Sequence, residues 1–112
     1  MNYTYADGSG NKYKLQKFKL SYLPIIPDMS SSGTYSGGEP FTAELEKLDL
    51  IKLIDAFERA MWAEKDHTDK RTMGSGTIIK EIEGETKRIY LKYNSESLNA
   101  INERFREIKS KV

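Results

Sequence analysis

The sequence has no cysteine, which excludes disulfides, thiol nucleophiles and thiolate metal sites. It has one histidine, His67, so a zinc site would have to draw most of its ligands from carboxylates. No cofactor and no metal are expected. An excess of charge of one sign is also missing: 18 lysines and arginines oppose 17 acids, for a formal net charge of +1. That balance excludes a bulk polyanion binder, whose affinity depends on a large positive excess, and it excludes an acidic tail protein. No segment approaches the roughly 20 consecutive apolar residues of a membrane-spanning helix. The first residues, Met1-Asn2-Tyr3-Thr4-Tyr5, lack the basic and then apolar stretches of a secretory signal. A soluble, cytoplasmic protein with no membrane partner is the expectation.

The 112 residues amount to one domain, expected to run over residues 1–112. A chain of this size buries about two-thirds of its extended surface on folding, enough for one core without staples. Hydrophobic residues at 38% and charged residues at 31% fall within the range of globular domains, slightly to the polar side. No internal repeat is visible.

Three regions differ in texture. In the first, Tyr3-Thr4-Tyr5 is β-prone, and Asp7-Gly8-Ser9-Gly10-Asn11 supplies residues that tolerate a hairpin loop. From Lys12 to Tyr22 the apolar positions change phase: Tyr13 and Leu15 are odd, Phe18, Leu20 and Tyr22 even. A strand has a period of two, so the slip at Gln16-Lys17 requires a β-bulge or a break into two strands. Lys12, Lys14, Lys17 and Lys19 then share the face opposite the apolar one. Pro24 and Pro27 end the strand. The loop over residues 28–40 is Ser or Gly at seven of its 13 positions, and loops of that length are usually functional or mobile.

The second region reads as a helix over residues 43–66, with Thr42 as N-cap and Glu44 and Glu46 in its first turn. Leu50, Ile54, Phe57 and Met61 trace one stripe. Leu45, Leu48, Ile51 and Leu53 widen it, which suggests burial on more than one side. The third region reads strand, turn, strand, helix: residues 77–82, a turn at Glu83-Gly84-Glu85-Thr86, residues 87–93, and a helix capped by Asn94 or Ser95. The stripe of that helix is Leu98, Ile101, Phe105 and Ile108.

These elements predict an α+β two-layer sandwich of order ββαββα. Its four-stranded, mostly antiparallel sheet would carry both helices on one face. The other face would expose the lysine stripe and several tyrosines. Segment charges agree with a dipolar molecule: −3 over residues 44–66 against +1, +2 and +1 over residues 1–43, 67–94 and 95–112. Such a dipole suits a protein partner or a short anionic ligand better than a long polyanion.

Four features carry chemistry. The Ser/Gly loop could form an anion nest, with Ser32, Tyr35 and Ser36 as contacts, although it lacks the phosphate-loop and dinucleotide patterns. It is equally what a surface loop looks like. His67, with Asp66, Asp69, Lys70 and Arg71, could supply a general base beside an anion clamp. The same cluster is what a helix C-terminus favours electrostatically. Six of the seven tyrosines, interleaved with strand lysines and arginine, resemble a single-strand nucleic-acid platform in composition alone, and the net charge lends that reading no support. Trp62 lies off the helix stripe and marks either broad burial or a partner-facing patch.

The leading expectation is a small non-enzymatic binding or interaction module of bacterial type. It would contact a protein partner, a second copy of itself or a small anionic ligand through Tyr13, Lys14, Lys19, Ser32, Tyr35, Ser36, Trp62 and Arg88. The alternatives are a small enzyme acting on an anionic substrate, with His67 as base and Arg71 as clamp, and a single-stranded nucleic-acid binder.

Overall fold

Asp7 organises the first turn of the chain. One carboxylate oxygen accepts the backbone N–H groups of Ser9 and Asn11 at 2.9 and 3.0 Å, and the other accepts the Asn11 side-chain amide at 3.1 Å. Gly10, at φ 94°, closes the loop in a conformation that a side chain would oppose. Strands β1 (Asn2–Ala6) and β2 (Lys12–Gln16) pair on either side of it. The structure, a computed structural model, describes residues 2–24, 40–70 and 74–110.

The phase slip at Gln16-Lys17 is a break rather than a bulge. Lys17 and Phe18 form a two-residue turn, Lys17 at φ 56°, and β3 (Lys19–Leu23) folds back on β2 with Gln16 opposite Lys19. A tight turn swaps parity between the two strands, so Leu15 and Leu20 face the same way. Strand β3 stops before Pro24, as expected. After the undescribed residues 25–39 comes a departure from the sequence reading. Phe41–Glu44 is a strand, β4, paired with β3, and Thr42 lies in its ladder instead of capping a helix. Ala43-Glu44-Leu45-Glu46 are good helix formers, but the β3 edge offers backbone partners, extended by the Leu45 N–H donating to the Phe18 carbonyl at 2.6 Å. Helix α1 therefore runs only over Lys47–Trp62, with Glu46 at its N-cap.

A 3-10 turn (Glu64–Asp66) and a two-residue strand β5 (His67–Thr68) follow. Strands β6 (Gly76–Ile82) and β7 (Glu85–Leu91) form the last hairpin, through a two-residue turn with Glu83 and Gly84 both at positive φ. Helix α2 (Glu96–Lys109) begins where expected: the Ser95 hydroxyl accepts the Leu98 N–H, and Leu98, Ile101, Phe105 and Ile108 are all buried.

Among the described residues, seven strands make one antiparallel sheet in the order β4-β3-β2-β1-β6-β7-β5. The fold is α+β, but the sheet is larger than the four strands expected, and ββαββα is not its order. Strands β4 and β5 are short edge additions, and the expected second strand is two. Both helices pack on one face. Phe57 of α1 stacks on Tyr3 with ring centroids 4.9 Å apart, and Phe105 of α2 stacks on Tyr5 at 5.4 Å and Tyr13 at 3.8 Å. Tyr5, Leu20, Leu53, Phe57, Ile78, Leu91 and Ile101 are the large side chains sealed inside. Each such burial stabilises the fold by about 1.5–3 kcal/mol.

The tyrosines are the second departure. Several tyrosines were expected on the lysine face and Tyr13 among the contact residues, yet Tyr3, Tyr5, Tyr13 and Tyr22 are all buried on the helix side. Their parity decides this: each has a polar neighbour on the other side of the pleat (Asn2, Thr4, Lys12, Lys14 or Ser21), and only one set can meet the helices. Helix α1 is a third. Leu48 and Ile51 are exposed, so the helix buries one side only, through Leu53, Ala56, Phe57, Ala60 and Met61.

Candidate functional site

The outer face of the sheet is covered by neither helix. Strand pairing places its side chains in rows. One row runs Ser21, Lys14, Thr4, Ile79, Arg88, and the next runs Leu23, Lys12, Ala6, Thr77, Tyr90, Thr68. These two rows hold Lys12, Lys14 and Arg88 and no carboxylate. A third row, through Glu44, Lys19, Gln16, Asn2 and Glu81, brings acids to one margin. The two cationic rows surround a depression of about 380 Å³ whose floor includes Thr4, Ala6, Thr77 and Ile79. Lys12 and Lys14 stand about 7 Å apart along β2, and Lys14 and Arg88 are three strand spacings apart, about 14 Å.

Of the residues singled out in the sequence, Lys14 and Arg88 line the depression, and Lys19 lies on the same face at its margin, opposite Glu44. Tyr13 does not: it is 5% exposed, on the reverse side, beneath α2. Trp62 is 82% exposed at the end of α1, with the Lys87 ammonium 5.9 Å from its ring, away from the depression. Ser32, Tyr35, Ser36 and Arg71 lie outside the described residues. Lys12 and Tyr90 were noted in the sequence but not named as contacts, although period-two parity with Lys14 and Arg88 puts them on this face, and Ile79 was not picked out.

His67 and Asp66 belong to a junction. The His67 Nε2 lies 2.7 Å from the Ala60 carbonyl in the last turn of α1. A carbonyl only accepts, so Nε2 carries the proton, and Nδ1 is the ring nitrogen left for other work. The Asp66 carboxylate accepts the Ser97 hydroxyl at 2.6 Å and the Ser97 N–H at 3.1 Å, which ties the 3-10 turn to the first turn of α2. Those bonds, the Ser97 hydroxyl first, hold Asp66 below the usual carboxylate range. The Lys92 N–H donates to the Asp66 carbonyl at 2.8 Å, adding the end of β7 to the same joint.

Beneath the sheet, burial raises the Tyr3 and Tyr5 phenols well above their ordinary value, and the nearby Glu58 charge raises Tyr3 further. Tyr3 donates to Glu58 at 3.1 Å, and Glu58 holds Lys80 at 2.7 Å. Among the described residues no three metal-ligating side chains are grouped, and no helix is long and apolar enough to cross a membrane. No family model, curated protein or solved structure matches the chain. Function must therefore be argued from the faces of the molecule.

Proposed function

We propose that this chain is a non-enzymatic binding module whose sheet face opposite the two helices takes an acidic segment of a protein partner. The observation that supports it is the pair of central rows with three cations, no carboxylate and a shallow depression between them. Complementary charge steers encounter and sets register, while the threonine and isoleucine floor gives a partner backbone something to lie on. A segment with carboxylates spaced along an extended chain can reach Lys12, Lys14 and Arg88 together. Single-stranded nucleic acid is the weaker reading, because a stacking platform needs several exposed rings and the described part of this face offers Tyr90.

The test titrates poly-L-glutamate and oligo-dT into isotope-labelled protein at low salt. Poly-L-glutamate should perturb the amides of Thr4, Lys14, Ile79 and Arg88. A Lys12→Glu/Lys14→Glu/Arg88→Glu variant, with unchanged circular dichroism, should bind it at least about tenfold more weakly. Tighter binding of oligo-dT at the same amides would replace the partner class. Perturbation confined to other surfaces would remove the face from consideration.

A further inference from the structure

On the helix side a second cavity opens, about 560 Å³, between α2 and the first hairpin loop. Its size is that of small-ligand clefts. One wall is a stripe of α2: Asn99, Asn102, Arg106 and Lys109, spaced 3, 4 and 3, each one residue after the buried stripe Leu98, Ile101, Phe105 and Ile108. The buried stripe pins the helix to the sheet, and the stripe beside it is left along the rim of the cleft.

The hydrogen-bonding state of this wall is uneven in a useful way. The Asn102 carbonyl oxygen accepts the Tyr5 hydroxyl, which leaves the Asn102 NH₂ to donate. The Asn94 oxygen accepts the Asn99 amide at 3.1 Å, which leaves the Asn94 NH₂. Arg106 gives Nη1 to Glu103 at 2.8 Å and retains its other donors. Asp7 is the one carboxylate on the lining, and it already accepts three N–H groups. The Lys109 ammonium lies over the Tyr22 ring at 4.0 Å and the Tyr13 ring at 5.2 Å, so toward the C-terminal end of α2 the cleft presents amide donors and the Arg106 guanidinium.

The other end is aromatic. Tyr93, 74% exposed, is seated on Gly74: a Cβ added there would lie 2.6 Å from the Tyr93 ring. Gly74 has φ 80° and abuts Gly8, where a Cβ would meet the Gly74 carbonyl at 2.6 Å. Two glycines thus set the ring at the mouth of the cleft. About 10 Å of helix separates Asn99 from Arg106. The first-turn N–H groups of Ser97 and Leu98 are taken by Asp66 and Ser95, so recognition falls to side chains.

We infer that this cleft binds a small ligand of the nucleoside monophosphate class. The flat ring would lie against Tyr93, the sugar by the asparagines, and the phosphate at Arg106. A planar ring joined by a polar middle to an anion matches the order of the lining groups, and stacking on an exposed tyrosine is tolerant of base identity. The site lies on the opposite side of the sheet from the acidic-segment face, and the two stand or fall separately.

The experiment is a titration of the isotope-labelled protein with adenosine 5′-monophosphate, uridine 5′-monophosphate, ribose 5-phosphate and inorganic phosphate. Both nucleotides should give saturable perturbations at Gly74, Asn99, Asn102 and Arg106. Arg106→Gln should weaken them about tenfold or more, the loss of a charge-assisted hydrogen bond. Asn102→Asp keeps an acceptor for Tyr5 while replacing the donor by a charge, and should weaken binding at least as much. Tyr93→Ala should bring nucleotide affinity down toward that of ribose 5-phosphate, and Tyr93→Phe should not. Absence of saturable perturbation at millimolar nucleotide, equal binding of inorganic phosphate, or indifference to Arg106→Gln would each overturn the inference.

Discussion

The two faces of the sheet are built from the same strands and follow opposite rules. The inner face is aromatic and dry. Tyr3, Tyr5, Tyr13 and Tyr22 stack among themselves and against Phe57 and Phe105, with polar ends tied to Glu58 and Asn102 at the margins. The outer face is threonine, lysine and arginine around a shallow floor. Residues one apart in sequence, such as Tyr13 and Lys14, therefore have unrelated duties. The odd positions of β1 and β2 build the core, and the even ones are left to the outer face.

That contrast predicts a ranking of effects. Phe105→Ala removes a ring that touches Tyr5, Tyr13 and Phe57 and should cost about 3–5 kcal/mol by denaturant melt. Lys14→Ala on the other side should stay within about 0.5 kcal/mol. Equal costs would dissolve the distinction between the faces. Next is the Asp66 junction: Asp66→Ala strands the Ser97 donors and should cost about 1–3 kcal/mol. Because the Asp66 pKa is lowered in the folded state, its contribution is fully present above the ordinary value of 3.8 and is lost as the pH falls through the folded value. Melts of Asp66→Asn against the parent from neutral pH downward should show a gap that closes in acid.

Alkali probes the inner face alone. The Tyr3 and Tyr5 phenols have folded pKa values above the ordinary 10.0, so their neutral forms stabilise in full below pH 10.0 and that contribution is lost as the pH rises beyond it. In a Tyr5→Phe variant the alkaline decline of melting temperature should be shallower than in the parent. A small gain is expected at a turn that serves both faces. Lys17 sits at φ 56°, a conformation costly for a residue with a Cβ, so Lys17→Gly should raise stability by up to about 1 kcal/mol. A loss there would mean that the Lys17 side chain holds the turn.

Much of this was legible from local chemistry. The Asp7–Asn11 loop, the turn at Glu83-Gly84, the Ser95 cap and the stripe of α2 each follow from residues within a few positions of one another. The lysine stripe was legible from parity, and Lys14, Lys19 and Arg88 do share one face. Tyr13 was named as a contact although its alternation with Lys12 and Lys14 already set it on the apolar side, where it is buried. The His67 cluster was read either as a base beside an anion clamp or as helix-end electrostatics, and neither reading contained the contacts of Asp66 and His67 with Ser97 and Ala60, 31 and seven residues away. The cleft on α2 left a signal that was overlooked, a polar stripe running in step with an apolar one.

By itself the sequence determined the elements whose reasons are local: two hairpin turns, a capped amphipathic helix and an alternating strand pattern. The tertiary structure alone decided where long-range partners were available. It drew Phe41–Glu44 from a helical pattern into the ladder beside β3, because an open strand edge outweighs a modest helix propensity. It also set which side of the pleat became core, since both helices can bury their stripes on only one set of side chains, and the aromatic set has far more surface to remove from water than the lysines opposite.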